Sequence, residues 1–123
     1  MPFSDFTEMP VWQRANDVIK DVYKLSQYLP RKEDYVLSTQ IRNAVISIAT
    51  NIAEGFGRKN TNDKIRFYIY SRGSCFEVRS LLITGVTLGY FKNEQIESIN
   101  QKCLQVIEEL NRLMKGLGEN PKP

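Results

Sequence analysis

Residues 93–117 read Asn-Glu-Gln-Ile-Glu-Ser-Ile-Asn-Gln-Lys-Cys-Leu-Gln-Val-Ile-Glu-Glu-Leu-Asn-Arg-Leu-Met-Lys-Gly-Leu, and their apolar positions decide the fold. Ile96, Ile99, Cys103, Val106, Leu110, Leu113 and Leu117 follow one another at intervals of three and four. That spacing keeps side chains on one face of an α-helix and produces a coiled-coil-like seam. Asn93 is placed to cap the helix, since a short polar side chain can accept from its first free amides. A stripe of this kind must be buried against other helices.

Three more helices precede it. Gly89 ends a segment that starts at Asn60 or Thr61 and runs to about Leu88, with Asp63 setting negative charge against its positive N-terminal end. Before that, Leu37, Ile41, Ala44, Val45, Ile48 and Ile52 mark a helix over about residues 35–56, closed by Gly55 and Gly57. The first helix carries Val11, Ala15, Val18, Val22, Leu25 and Leu29, with Trp12 and Ile19 widening the stripe. It runs over about residues 10–29, because Pro10 suits a first turn and Pro30 forbids continuation. Short links such as Arg31-Lys32-Glu33-Asp34 force neighbouring helices to run antiparallel. The sequence therefore predicts an all-α fold, an antiparallel up-down-up-down four-helix bundle, with a three-helix or domain-swapped arrangement as the alternative. Residues 1–117 are expected to form one domain, and residues 118–123 a loose polar tail.

The 123 residues are 41% apolar and 25% charged. Both values are ordinary for one globular domain. A chain of this size buries roughly two-thirds of its unfolded surface and needs neither disulfide nor structural metal. Cys75 and Cys103 have no CxxC partner, and the chain has no histidine, so we expect buried reduced thiols, no metal site and no cofactor. Residues 1–6 carry no basic, apolar leader. No stretch reaches the roughly 18 apolar residues of a spanning helix. A cytoplasmic protein without a membrane partner is the expectation.

Candidate functional residues gather on the second and third helices. Gln40, Ser47, Asn51, Glu54 and Arg58 share one face of the second. Antiparallel pairing opposes residues whose numbers sum to about 120, bringing Glu54 to Arg66 and Ser47 to Gly73 or Ser74, with Tyr70 and Glu77 on the Arg66 side. This is either a polar layer that fixes register or a ligand pocket. The chemistry speaks against catalysis, because the commonest general base is missing and Ser47, Ser71, Ser74 and Cys75 have no evident activating partner. We expect a protein that is not an enzyme; a small helical mutase built on Arg and Glu side chains is the catalytic alternative. Gly55-Phe56-Gly57-Arg58-Lys59 resembles a phosphate loop only superficially, lacking the spacing and the preceding strand. It reads as a helix stop and turn, or as an anion site formed by Arg58, Lys59 and Lys64 at the next helix N-terminus.

In such a bundle Arg14, Arg58, Lys59, Lys64, Arg66, Arg112 and Lys115 lie toward one end, diluted by Glu8, Asp17, Glu54 and Asp63. The net charge is +3, so the patch gains strength mainly if repeated around an oligomer. The third helix supplies a reason for one. Ile65, Ile69, Phe76 and Ile83 lie on one side and Phe67, Val78, Leu81 and Leu82 on others, more than one core can cover. Gly73 and Ser74 would permit close backbone approach.

Several of these residues form a recognisable set: Val11-Trp12-Gln13, Gln40-Ile41-Arg42-Asn43-Ala44 with Ser47, Asn51-Ile52-Ala53-Glu54-Gly55, and Arg72-Gly73-Ser74 with Glu77. Over about residues 3–117 the chain resembles the bacterial four-helix-bundle family named for proteins encoded in intervening sequences of 23S rRNA genes, which also carries a ribosomal-protein-like label. The resemblance implies a cytoplasmic homo-oligomer, a ring-like pentamer. It also implies kinship in fold with accessory proteins of diversity-generating retroelements, which bind nucleic acid and a reverse transcriptase. Gln40, Ser47, Asn51, Glu54, Gly55, Arg72, Gly73, Ser74 and Glu77 are its signature positions, read as structural. The expected function is a non-enzymatic oligomer whose basic end holds RNA or DNA by its phosphates, chiefly through Arg58, Lys59, Lys64 and Arg66. The competing expectation is a protein-interaction scaffold, with a protein partner such as a reverse transcriptase and no nucleic-acid contact of its own.

Overall fold

The computed structural model describes residues 3–118, so the expected loose tail falls, apart from Gly118, outside the described residues. The four long helices are α1 (Pro10–Ser26), α2 (Leu37–Gly57), α3 (Thr61–Thr87) and α4 (Asn93–Gly116). Packing closes a ring in which α1 and α3 each lie against α2 and α4, with α2 and α3 joined most intimately. Successive helices pack together across short links and so alternate in direction, giving the expected antiparallel four-helix bundle. Val18, Val22, Val45, Ile48, Ile52, Val78, Leu82, Val106 and Leu110 fill the core together with Tyr68, Cys75 and Cys103.

Helix ends follow local hydrogen bonding, and several differ from expectation. α1 stops at Ser26, short of residue 29. Tyr28 and Leu29 donate instead to Leu25 O and Ser26 O at 3.0 and 3.1 Å, a tightened turn leading into Pro30. α2 begins at Leu37 and runs through both glycines until Arg58 turns extended, with ψ 149°. Gly55 is therefore not a helix stop. A Cβ there would lie 2.6 Å from Tyr68 Cε1, so glycine is what lets α3 approach α2 so closely. Asn60 caps α3 as expected, its Oδ1 accepting from Asp63 N at 2.8 Å. Gly89 adopts φ +82° after α3. Tyr90 N and Gly89 N donate to Gly85 O and Val86 O, a Schellman ending. Asn93 is not the cap of α4, because it lies in the first turn. Gln95 Oε1 instead accepts the Lys92 N–H at 2.8 Å, one half of a capping box.

The seams differ in what closes them. Between α2 and α3, Ser71 Oγ donates to Ile48 O at 2.8 Å, and Ser47 and Ser74 share a hydroxyl hydrogen bond at 2.9 Å. Between α1 and α4, the Arg14–Glu109 pair at 2.5 Å and the Lys102–Asp21 pair at 2.6 Å bridge the helices. Arg72 and Arg79 of α3 each donate to an asparagine of α4, Asn111 and Asn100, at 2.8 Å.

Candidate nucleic-acid interface

At the end of the bundle where α2 meets α3, two guanidiniums share one aromatic ring. The Cζ of Arg58 lies 4.6 Å from the Phe67 ring centroid and that of Arg66 lies 5.1 Å from it. Such contacts hold a planar, weakly hydrated cation in place while leaving N–H groups for an anion. Phe67 also meets Tyr70 edge to face, with centroids 5.7 Å apart, a favoured aromatic arrangement. Tyr70 is 49% exposed. Lys59, in the turn itself, is exposed and makes no ion pair among the described residues.

The expected Glu54–Arg66 pair does not form. Glu54 pairs with Arg58 at 3.2 Å and Arg66 with Asp63 at 3.5 Å, each within one turn of its own helix and on exposed surface. Local partners win because a neighbour one turn away costs less side-chain ordering than one across a seam. Lys64 also departs from expectation. Its Nζ donates to Phe56 O at 2.7 Å and Gly55 O at 3.2 Å. It thereby bonds carbonyls at the C-terminus of α2, where Gly55 O also accepts from Arg58 N, and serves the turn rather than a ligand. On the far seam, Arg14 is held by Glu109 and Gln105, and exposed Arg112 pairs with Glu108 at 2.7 Å. Lys115, in the last turn of α4, is exposed. Charge at this end is thus partly neutralised: Arg58, Arg66 and Arg112 each have a carboxylate partner within one turn, while Lys59 and Lys115 are exposed with no ion pair among the described residues.

The polar layer between α2 and α3 divides. Ser47 meets Ser74, and Asn51 Nδ2 donates to Ser47 O and Oγ at 2.9 Å each, a closed set that fixes register. Gln40, Glu54, Gly73 and Glu77 are exposed outside it. The basic-site expectation lacks Phe67 and Tyr70, although helical spacing already sets Tyr70 on the Arg66 side of α3.

Residues 7–112 match the family described as 23S rRNA-intervening sequence protein. The chain belongs to this family. A solved structure similar to it is a protein of unknown function from the S23 ribosomal protein family of Bacteroides thetaiotaomicron. The two are 24% identical, the alignment covering 85% of this chain and 98% of that one with a TM-score of 0.79, a likeness that speaks for the fold. Among curated proteins none matches the chain. In this member of the intervening-sequence family Ser47 and Ser74 face each other and Ser71 faces a backbone carbonyl. Both thiols are buried and disfavour their charged form. Burial pushes Cys103 up to about 12 and raises Cys75 further, helped by Cys103 itself. Among the described residues, no cluster of three metal-ligating side chains occurs and no helix is long and apolar enough to cross a membrane.

Proposed function

We propose that this chain is a non-enzymatic, cytoplasmic homo-oligomer whose subunits present their α2–α3 ends to nucleic acid. One observation carries the reading: the solvent side of α3 is divided into two strips. Ile69, Phe76 and Ile83, spaced by seven, form an apolar strip with 39%, 50% and 51% of their surface exposed. Burying half-exposed residues of this size against a second copy is favourable at roughly 25 cal/mol per Å². Beside it, Arg66 and Tyr70 share a strip that meets Arg58 and Lys59 at the turn. The exposed ion pairs there are each worth less than about 1 kcal/mol, so a phosphate can displace Glu54 or Asp63 from its arginine. Oligomerisation would then set several such ends side by side and raise their combined field.

Two measurements test this. Sedimentation velocity should find a wild-type oligomer that Phe76→Glu converts to folded monomer; a monomeric wild type would remove the assembly reading. Binding to labelled RNA and DNA should weaken steeply between about 50 and 200 mM salt, and Lys59→Glu with Arg58→Glu should abolish it. Were an oligomer found with no nucleic-acid binding at the lower salt, the same apolar strip would favour the scaffold reading, with a protein partner docked on α3.

A further inference from the structure

The guanidinium and aromatic groups at the α2–α3 end define more than a phosphate site. Resting on the nucleic-acid reading above, we infer that this end selects single-stranded nucleic acid, stacking an unpaired base on Tyr70 while Arg58 and Arg66 take the flanking phosphates. The Tyr70 ring is half exposed, lies on the strip beside the apolar one, and is held from one side by the edge-to-face contact with Phe67. Both guanidiniums are anchored on that same Phe67 ring, at 4.6 and 5.1 Å. Cations and stacking surface are therefore fixed relative to each other through one half-buried side chain, a preorganisation that lowers the ordering cost of binding.

The geometry favours a single strand over a duplex for a chemical reason. In a duplex the base faces are covered by their neighbours, and an exposed tyrosine at the end of a bundle meets only sugar and phosphate. In a single strand every base has a face to offer, and aromatic stacking beside cationic groups is how sequence-tolerant single-strand sites are built. Glu77 lies on the Tyr70 strip two turns along and is exposed. Its charge repels a backbone running that way, so the strand is directed across the turn toward Lys59.

The test compares short labelled single-stranded RNA, single-stranded DNA and duplex DNA of equal length, with wild type, Tyr70→Ala, Tyr70→Phe and Lys59→Glu. Tyr70 is a surface residue, so the melting temperature serves as a folding control. Expected are tighter binding of either single strand than of duplex, and a loss of about 5- to 150-fold in single-strand affinity for Tyr70→Ala, the range set by one base stack. Duplex binding should be unchanged, and Tyr70→Phe should restore the wild-type preference because the ring is kept. Lys59→Glu should weaken all probes alike. Unaltered single-strand affinity in Tyr70→Ala, or a wild type that holds duplex at least as tightly, overturns the inference and leaves the phosphate reading standing. A wild type that binds no probe at low salt overturns both.

Discussion

The α2–α3 and α1–α4 seams join the same kind of elements by opposite means. Across α2–α3 the contacts are between small groups: Gly55 against Tyr68, Ser71 on a backbone carbonyl, Ser47 on Ser74. Across α1–α4 long charged side chains reach over a shallow groove, with Arg14 38% and Glu109 17% exposed. In the first seam, small residues bring the backbones together and packing fixes the register. In the second, charged pairs bridge the helices at the rim of a buried apolar core that includes Ala15, Val18, Val22, Cys103 and Val106. One bundle can thus hold a seam closed by small residues and another bridged by charges, and the basic, aromatic end lies on the first.

The largest test of that contrast comes from alkali. Burial raises the Tyr68 phenol from 10.0 to about 12 and the Cys103 thiol from 9.0 to about 12. Both therefore stay protonated in the folded chain after the unfolded chain has lost those protons. Their contribution is intact below pH 9.0 and is lost as pH climbs toward about 12. Denaturant titrations should show stability falling over that window, with Tyr68 reporting on the α2–α3 seam and Cys103, on α4, on the core beside it; a flat profile would mean that water reaches both. Next in size is Gly55→Val, which forces a branched side chain against Tyr68 and should cost about 3 kcal/mol, lowering the melting temperature by on the order of 10 °C. A melting temperature equal to that of wild type would show that Tyr68 can step aside.

Smaller effects separate the seams by their response to salt and to pairing. Arg14→Ala should cost up to about 1 kcal/mol at low salt and less at high salt, since the pair is partly solvated. Ser47→Ala and Ser74→Ala should each cost about 1 kcal/mol regardless of salt, and the double variant little more than either alone, because both partners are then gone. Identical salt responses at the two seams would erase the distinction. The smallest change is a gain. Gly73 is exposed, and a Cβ added there would meet nothing within 4 Å. Gly73→Ala should therefore stabilise the subunit by about 0.5–1 kcal/mol. Were the proposed self-association weakened by the same variant, Gly73 would be a point of close approach between copies.

The apolar spacings of Val11 to Leu29, Leu37 to Ile52 and Ile96 to Leu117 are enough to locate α1, α2 and α4, and the pairing rule places Ser47 beside Ser74. α3 is bounded by its cap and by Gly89 instead, since its apolar residues spread all round. What the residues alone do not reveal is competition. The pairing rule opposes Glu54 and Arg66, but cannot weigh Arg58 and Asp63, each one turn from its acid or base on open surface. Lys64 is out of reach for a different reason, because the carbonyls it serves become available only once the turn after α2 has its shape. Tyr70 stands beside Arg66 as the spacing places it, but that the Phe67 ring takes both Arg58 and Arg66 is not legible in the residues, because the contact forms only once the turn brings the two helices together.

The depth of the two sulfhydryls has a practical consequence. Cys75 and Cys103 are the chain's only cysteines and both are fully buried, so a maleimide dye should pass over both in the native protein. A cysteine introduced at Tyr35, which is 94% exposed at the opposite end from the basic turn, would then take the dye alone. With Trp12 as the single tryptophan and natural donor, energy transfer along the bundle would test the proposed strand binding and self-association without removing any native residue of the core.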